Sequence, residues 1–121
     1  MTKICNQMLV ACNALVIAEM IALAKRAGVD AAVIPEALSG GFGDSKPLRI
    51  LAPEMATETF TPVKWRVRTL LKDLSMATEL AGSLGTPTPM SALAAQLMQL
   101  HTARGFSEQD PSTLIKLYSA Q

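Results

Sequence analysis

Between Lys3 and Arg26 the chain reads KICNQMLVACNALVIAEMIALAKR, with no Gly or Pro, and Gly28 follows two residues past the last charge. Strong helix formers fill this stretch, and a Gly just beyond the terminal cations is the usual left-handed stop. One helix here would run about 36 Å at 1.5 Å per residue, enough to cross a small domain. It is apolar on almost every side, so it is expected to be central and covered on most faces by other helices. The exceptions are polar. With about 100° per residue and Lys3 at zero, Asn6 falls near −60° and Gln7 near +40°. Lys3, Asn6 and Gln7 therefore share one face at i, i+3 and i+4. An amine and two amides on a greasy helix cost free energy without partners, so this cluster is the first candidate site.

The rest of the chain reads as helices as well. Half of the 121 residues are hydrophobic but only 4% are aromatic, so Leu, Ile, Val, Ala and Met must build the core. No segment alternates apolar and polar for long, and an all-α single domain of about six helices follows. A short helix is expected from Asp30 to Leu38, with Asp30 as N-cap and Pro35 set awkwardly in its second turn. After the Ser39–Gly43 loop, Asp44 or Ser45 caps a third helix that ends around Pro53 to Ala56. Thr59 to Pro62 is a connector. A second long helix is expected from Lys64 or Trp65 to Leu84, closed by Gly85. Thr88 and Pro89 open a fifth, stopped by Gly105 after Arg104, and Asp110-Pro111 launches a last one toward Ala120.

Several function classes recede. Net charge is +1, from 11 basic and 10 acidic residues, so no global field draws the chain to nucleic acid or membrane. One basic triplet and one Trp do not make a nucleic-acid surface. Met8 to Ala24 resembles a membrane span in composition, but Asn13 and Glu19 near its middle tell against one. Cys5 and Cys12 stand about 10 Å apart along one helix, beyond the roughly 7 Å reach of a disulfide, which suits a reducing compartment. With one histidine and no Cys/His cluster, no metal site is expected. A soluble, cytoplasmic protein is the expectation.

Other candidates are weaker. Lys64, Arg68 and Lys72 recur at i, i+4 and i+8, a basic stripe that could receive an anionic ligand or simply face solvent. The Gly40-Gly41-Phe42-Gly43 loop lacks the GxGxxG spacing and a preceding strand, so it is no dinucleotide fingerprint. His101 has no Ser, Cys or Asp constellation and reads as structural.

In order along the chain stand KICNQ (Lys3 to Gln7), AGVD (Ala27 to Asp30), LSGG (Leu38 to Gly41), FTP (Phe60 to Pro62), LKDL (Leu71 to Leu74) and QDPS (Gln109 to Ser112). This ordered set resembles the carboxyl-terminal helical domain of the β-hydroxyacid dehydrogenases, a family that includes 3-hydroxyisobutyrate dehydrogenase and tartronate semialdehyde reductase (2-hydroxy-3-oxopropionate reductase), with 6-phosphogluconate dehydrogenase as a distant relative. The resemblance implies that Lys3 is the general acid/base at the substrate hydroxyl, that Asn6 and Gln7 contact substrate, and that Lys72 reaches a bound NAD or NADP. It implies that Phe60 and the Gly40–Gly41 loop lie where the cleft closes. Val63-Lys64-Trp65 replaces the family's usual Gly-aromatic step, with about one extra residue before LKDL, which leaves the hydroxyacid open. It also implies that the amino-terminal Rossmann domain lies outside these residues and that the piece is inactive alone. A homo-oligomer is expected, with the first helix at its interface. The alternative reading is a non-catalytic helical dimerisation or interaction module.

Overall fold

A computed structural model describes residues 1–119, and among these it contains helices and turns with no strand. The first helix, α1 (Thr2–Arg26), is as long as its sequence requires. Its end is a full left-handed stop. Val29 N–H donates to the Ala24 carbonyl, Gly28 N–H to that of Lys25, and Gly28 sits at φ +79°. Ala11, Ala14, Leu15, Ile17, Ala18 and Ile21 form its buried face, whose alanines let neighbouring backbones approach closely. Around that face pack α3 (Lys46–Thr57), α4 (Val67–Leu84), α5 (Pro89–His101) and a carboxyl-terminal 3₁₀ helix (Pro111–Leu117). The helix that a hydropathy scan would send across a membrane is here the core helix of a small bundle.

Coverage of α1 extends over most of its faces and leaves one apolar line open. Leu9, Val16 and Leu23, each seven residues apart, are 73%, 53% and 71% exposed. They lie opposite the buried face, and no described element covers them. A second apolar line, Met90, Leu93 and Leu100, is exposed on α5.

Local departures have local causes. The segment after Gly28 is split into a 3₁₀ turn (Ala31–Val33) and a single α turn, α2 (Ile34–Ala37). Asp30 caps it as expected, accepting from Ala32 N–H at 3.2 Å. Pro35 has no N–H to donate, and it stands in the first turn of α2, where none is needed. Ser45, rather than Asp44, caps α3, and that helix continues through Pro53 to Thr57. Asp44 instead closes the glycine loop. It accepts Gly40 N–H at 2.8 Å and the Arg49 guanidinium, and these hold its carboxyl down at about 2.

The expected start of α4 was two to three residues early. Arg66 is the N-cap, with extended backbone, and Lys64 and Trp65 belong to the connector. No Ser, Thr, Asp or Asn caps this helix. Its cap is tertiary: Val67 N–H donates to the Gln109 carbonyl and Arg68 N–H to that of Ser107, both at 3.0 Å. The last helix is 3₁₀ rather than α, because Thr113 returns both its N–H and its hydroxyl to the Asp110 carbonyl three residues back. It ends at Leu117, short of the expected end, with Tyr118 as its C-cap and Ser119 outside any helix, and Ala120 falls outside the described residues.

Candidate functional site

The second and third turns of α1 face the connector before α4 and the first two turns of that helix. Asn6 donates to the Gln7 side-chain oxygen at 3.1 Å, and Gln7 passes its own amide N–H to the Asp73 carboxylate at 2.7 Å. That relay spends one donor of each amide and joins KICNQ to LKDL across 66 residues of sequence. A charge-assisted bond of this length fixes the Gln7 rotamer and so the register of the two helices. Beside it lies a cavity of about 190 Å³, lined by Asn6, Gln7, Val10, Trp65, Arg66, Thr69 and Leu70. The walls from Val10, Trp65 and Leu70 are apolar, and the amides, Thr69 and Arg66 supply the polar contacts.

Of the four residues proposed from sequence, the structure brings Asn6 and Gln7 into this cavity. Lys3 is one turn before Gln7 on α1, and Lys72 directly precedes Asp73 on α4; both are exposed, and neither lines the cavity. The burial that an acid/base lysine calls for is therefore not supplied by the described residues at Lys3, whose side chain lies exposed at the start of α1. The basic stripe is also dissolved. Lys64 is outside the helix and paired with Glu54 at 2.8 Å, which strengthens its hold on its proton, and Arg68 is paired with Glu108 at 2.8 Å. Among the described residues Lys72 enters no ion pair.

Phe60 is not at this cleft. It packs against the core with the Lys116 amine 5.1 Å from its ring, and the same amine lies 5.2 Å from the Phe106 ring. The glycine loop stands further along α1, tied there by Asn13 through Ser45 at 3.0 Å. His101 is structural, as its sequence context suggested. It is buried, stacked on Phe106 at 4.3 Å, and bonded through Nε2 to the Thr113 hydroxyl at 2.8 Å. Thr113 already donates to the Asp110 carbonyl, so Nε2 must be the protonated nitrogen and Nδ1 is left without a partner. Burial, then the nearby Arg104 and Lys116, push the imidazole down to about 4.

Sequence reasoning missed Trp65, Arg66, Thr69 and Asp73. Starting α4 at Lys64 or Trp65 turns a connector that faces the cleft into a helical stripe. The missing signal was QDPS: a capping loop supplied from 40 residues downstream sets where α4 begins. Asp110 is the centre of that loop. Its buried carboxylate accepts Ser112 N–H, the Ser112 hydroxyl and Lys64 N–H at 2.7–3.0 Å.

An all-α bundle around one long helix, with Gln7 of that helix bonded to the Lys-Asp step of a second, fits the resemblance drawn from the ordered motifs. Comparison with known proteins agrees. Residues 1–118 match the family described as NAD-binding of NADP-dependent 3-hydroxyisobutyrate dehydrogenase. The chain is 32% identical over 114 residues to 2-hydroxy-3-oxopropionate reductase of Escherichia coli, covering 94% of this chain and 39% of that protein. It is 32% identical over 124 residues to 3-hydroxyisobutyrate dehydrogenase of Pseudomonas aeruginosa, covering 96% and 42%. The crystal structure of 3-hydroxyisobutyrate dehydrogenase from Salmonella typhimurium superposes with a TM-score of 0.88 at 27% identity, over 96% of this chain and 40% of that one. The chain belongs to the 3-hydroxyisobutyrate dehydrogenase family, whose cofactor is NAD or NADP, and spans about 40% of the length of the curated relatives it matches.

Proposed function

We propose that this chain is the carboxyl-terminal helical domain of an NAD(P)-dependent oxidoreductase that acts on the CH–OH group of a small hydroxyacid such as 3-hydroxyisobutyrate or glycerate. The observation that carries the reading is the Asn6–Gln7–Asp73 relay, which ties the two motifs named for substrate and cofactor to one cleft. Lys3 takes the hydroxyl proton as the alcohol is oxidised and returns it in the reduction. Asn6 and Gln7 hold the substrate one turn away. Lys72 is the uncommitted amine on α4 and fits an anionic group of the cofactor. NAD(P), when bound, supplies the hydride chemistry. Most of its site is assigned to a Rossmann domain that precedes Lys3 in the complete protein, and the helical domain alone is inactive. We place the protein in the cytoplasm.

The same reading covers the apolar line on α1. An antiparallel pair about a two-fold axis at Val16 sets Leu9 of one copy against Leu23 of the other, so the line is self-complementary. We assign it to a homo-oligomer interface.

The test of activity uses the complete coding sequence of the gene. NAD⁺- and NADP⁺-linked oxidation of a panel of small hydroxyacids is expected, and Lys3→Ala should lower kcat by roughly 10²-fold or more with little change in KM. An unchanged kcat removes Lys3 from the chemistry. A gene product with no strand–GxGxxG–helix unit and no NAD(P)-linked turnover returns the chain to the interaction-module reading.

A further inference from the structure

The connector before α4 departs from the family resemblance at Val63-Lys64-Trp65, and Lys64 is the residue that fastens it. Its backbone N–H donates at 3.0 Å to the buried Asp110 carboxylate, and its amine donates at 2.8 Å to Glu54 of α3. Further on, Val67 N–H goes to the Gln109 carbonyl. Both backbone bonds lead to one loop, Gln109–Asp110. Among the hydrogen bonds and ion pairs of the described residues, only the Lys64 side chain ties this connector to α3. Glu54 is no ordinary surface partner. Its side chain is 16% exposed, and its second carboxylate oxygen is buried without a hydrogen-bond partner. A carboxylate so placed depends on its cation, and Lys64 is the one cation paired with it among the described residues.

What the fastening holds is Trp65. This residue borders open space on two sides: the cavity it shares with Gln7 and Thr69, and a second one shared with Ile50, Leu51 and Glu54. It is 36% exposed with a cavity to either side, so close packing does not by itself choose where the ring sits. The backbone just ahead of it does, and Lys64 sets that backbone. We propose that Lys64 is a positioning residue: its bridge from the Asp110 loop to Glu54 holds Trp65 on the Gln7 and Thr69 side and so tightens the fit of a small hydroxyacid. The ligand in this proposal rests on the dehydrogenase reading. The placement of the ring does not.

Trp65 is the single tryptophan of the chain, so acrylamide quenching of its emission reports its placement. Lys64→Met keeps the backbone bond to Asp110 and removes only the bridge, and far-UV circular dichroism confirms that each variant is folded. Quenching is expected to rise in Lys64→Met and in Glu54→Met. In the complete gene product, assayed with 3-hydroxyisobutyrate and D-glycerate, both substitutions should raise KM by roughly fivefold or more with kcat within about twofold of the parent. Lys64→Arg, which rebuilds the bridge, should return both readouts to the parent. Arg68→Gln, which breaks the neighbouring exposed pair with Glu108, should move neither. Parent-level quenching and KM in Lys64→Met, either readout moving without the other, or Lys64→Arg as defective as Lys64→Met would overturn the role. A complete gene product with no NAD(P)-linked turnover would instead remove the dehydrogenase reading, and the quenching series then decides the placement of Trp65 alone.

Discussion

Two aspartates of this chain have the same role on paper, an N-cap ahead of a short helix, and the structure predicts very different costs for removing them. Asp30 is exposed and accepts one bond, from Ala32 N–H at 3.2 Å. Asp110 is 2% exposed and accepts three, two of them from the N–H and the hydroxyl of Ser112, which is itself fully buried, and the third from Lys64 N–H. A lost cap alone costs about 1 kcal/mol, and leaving the Ser112 N–H and hydroxyl unpaired in a buried site adds about 1 kcal/mol each. Asp110→Ala should therefore lower unfolding stability by about 3 kcal/mol, and Asp30→Ala by about 0.5 kcal/mol. For a domain of this size about 3 kcal/mol corresponds to roughly 12 °C in Tm. Urea and thermal unfolding followed by circular dichroism measure both. Asp110 also anchors the connector through Lys64, so native Trp65 emission should shift in Asp110→Ala and not in Asp30→Ala. Equal destabilisation by the two substitutions would refute the claim that tertiary capping, rather than local capping, holds the last helix and the connector.

Acid sensitivity should carry a signature of His101. Its folded pKa of about 4 lies below the ordinary 6.5, so the unfolded chain binds a proton that the folded one does not. Stability from this group is full above about 6.5 and is lost as pH falls toward 4, by about 1–2 kcal/mol after screening. The difference in urea midpoint between parent and His101→Gln should narrow across that window, and a constant difference would show that the imidazole does not titrate in this way. Two glycines of α4 should respond oppositely to alanine: Gly85, at φ +69°, should cost about 1 kcal/mol, whereas exposed Gly82 inside the helix should gain about 0.5–1 kcal/mol. Urea unfolding decides both signs. Val16→Lys on the exposed line of α1 should shift the chain to monomer in sedimentation equilibrium with its circular dichroism unchanged, and a parent that is already monomeric would remove that interface.

The fold was legible wherever a helix carries its own signals. α1 has unbroken formers and a Gly stop, Ser45 sits one residue ahead of α3, and Gly85 ends α4 in the left-handed region. It was illegible where the signal is tertiary. Nothing near Arg66 says that α4 starts at Val67, because the acceptors are carbonyls at Ser107 and Gln109. Along α1 most faces are covered, as its sequence suggests, and Leu9, Val16 and Leu23 are left open, because a helix apolar on nearly every side is fully covered only if every partner lies in the same 121 residues.

The site divides along the same line. Asn6 and Gln7 could be placed from helical spacing, since both belong to one turn of one helix. Their meeting with Asp73 could not, because spacing on one helix says nothing about which residue of another it meets. That meeting changes the chemistry on offer. Were Gln7 free, Asp73 would stand as an uncommitted acid on the same flank of α4 as Arg66 and offer the guanidinium an internal partner. With the Gln7 amide on its carboxylate at 2.7 Å, Asp73 is engaged, and Arg66 faces the cavity without an ion-pair partner among the described residues. The Lys-Asp step thus places its two charges separately. Its acid braces α1 against α4, and its lysine stays outside the cavity, exposed to solvent.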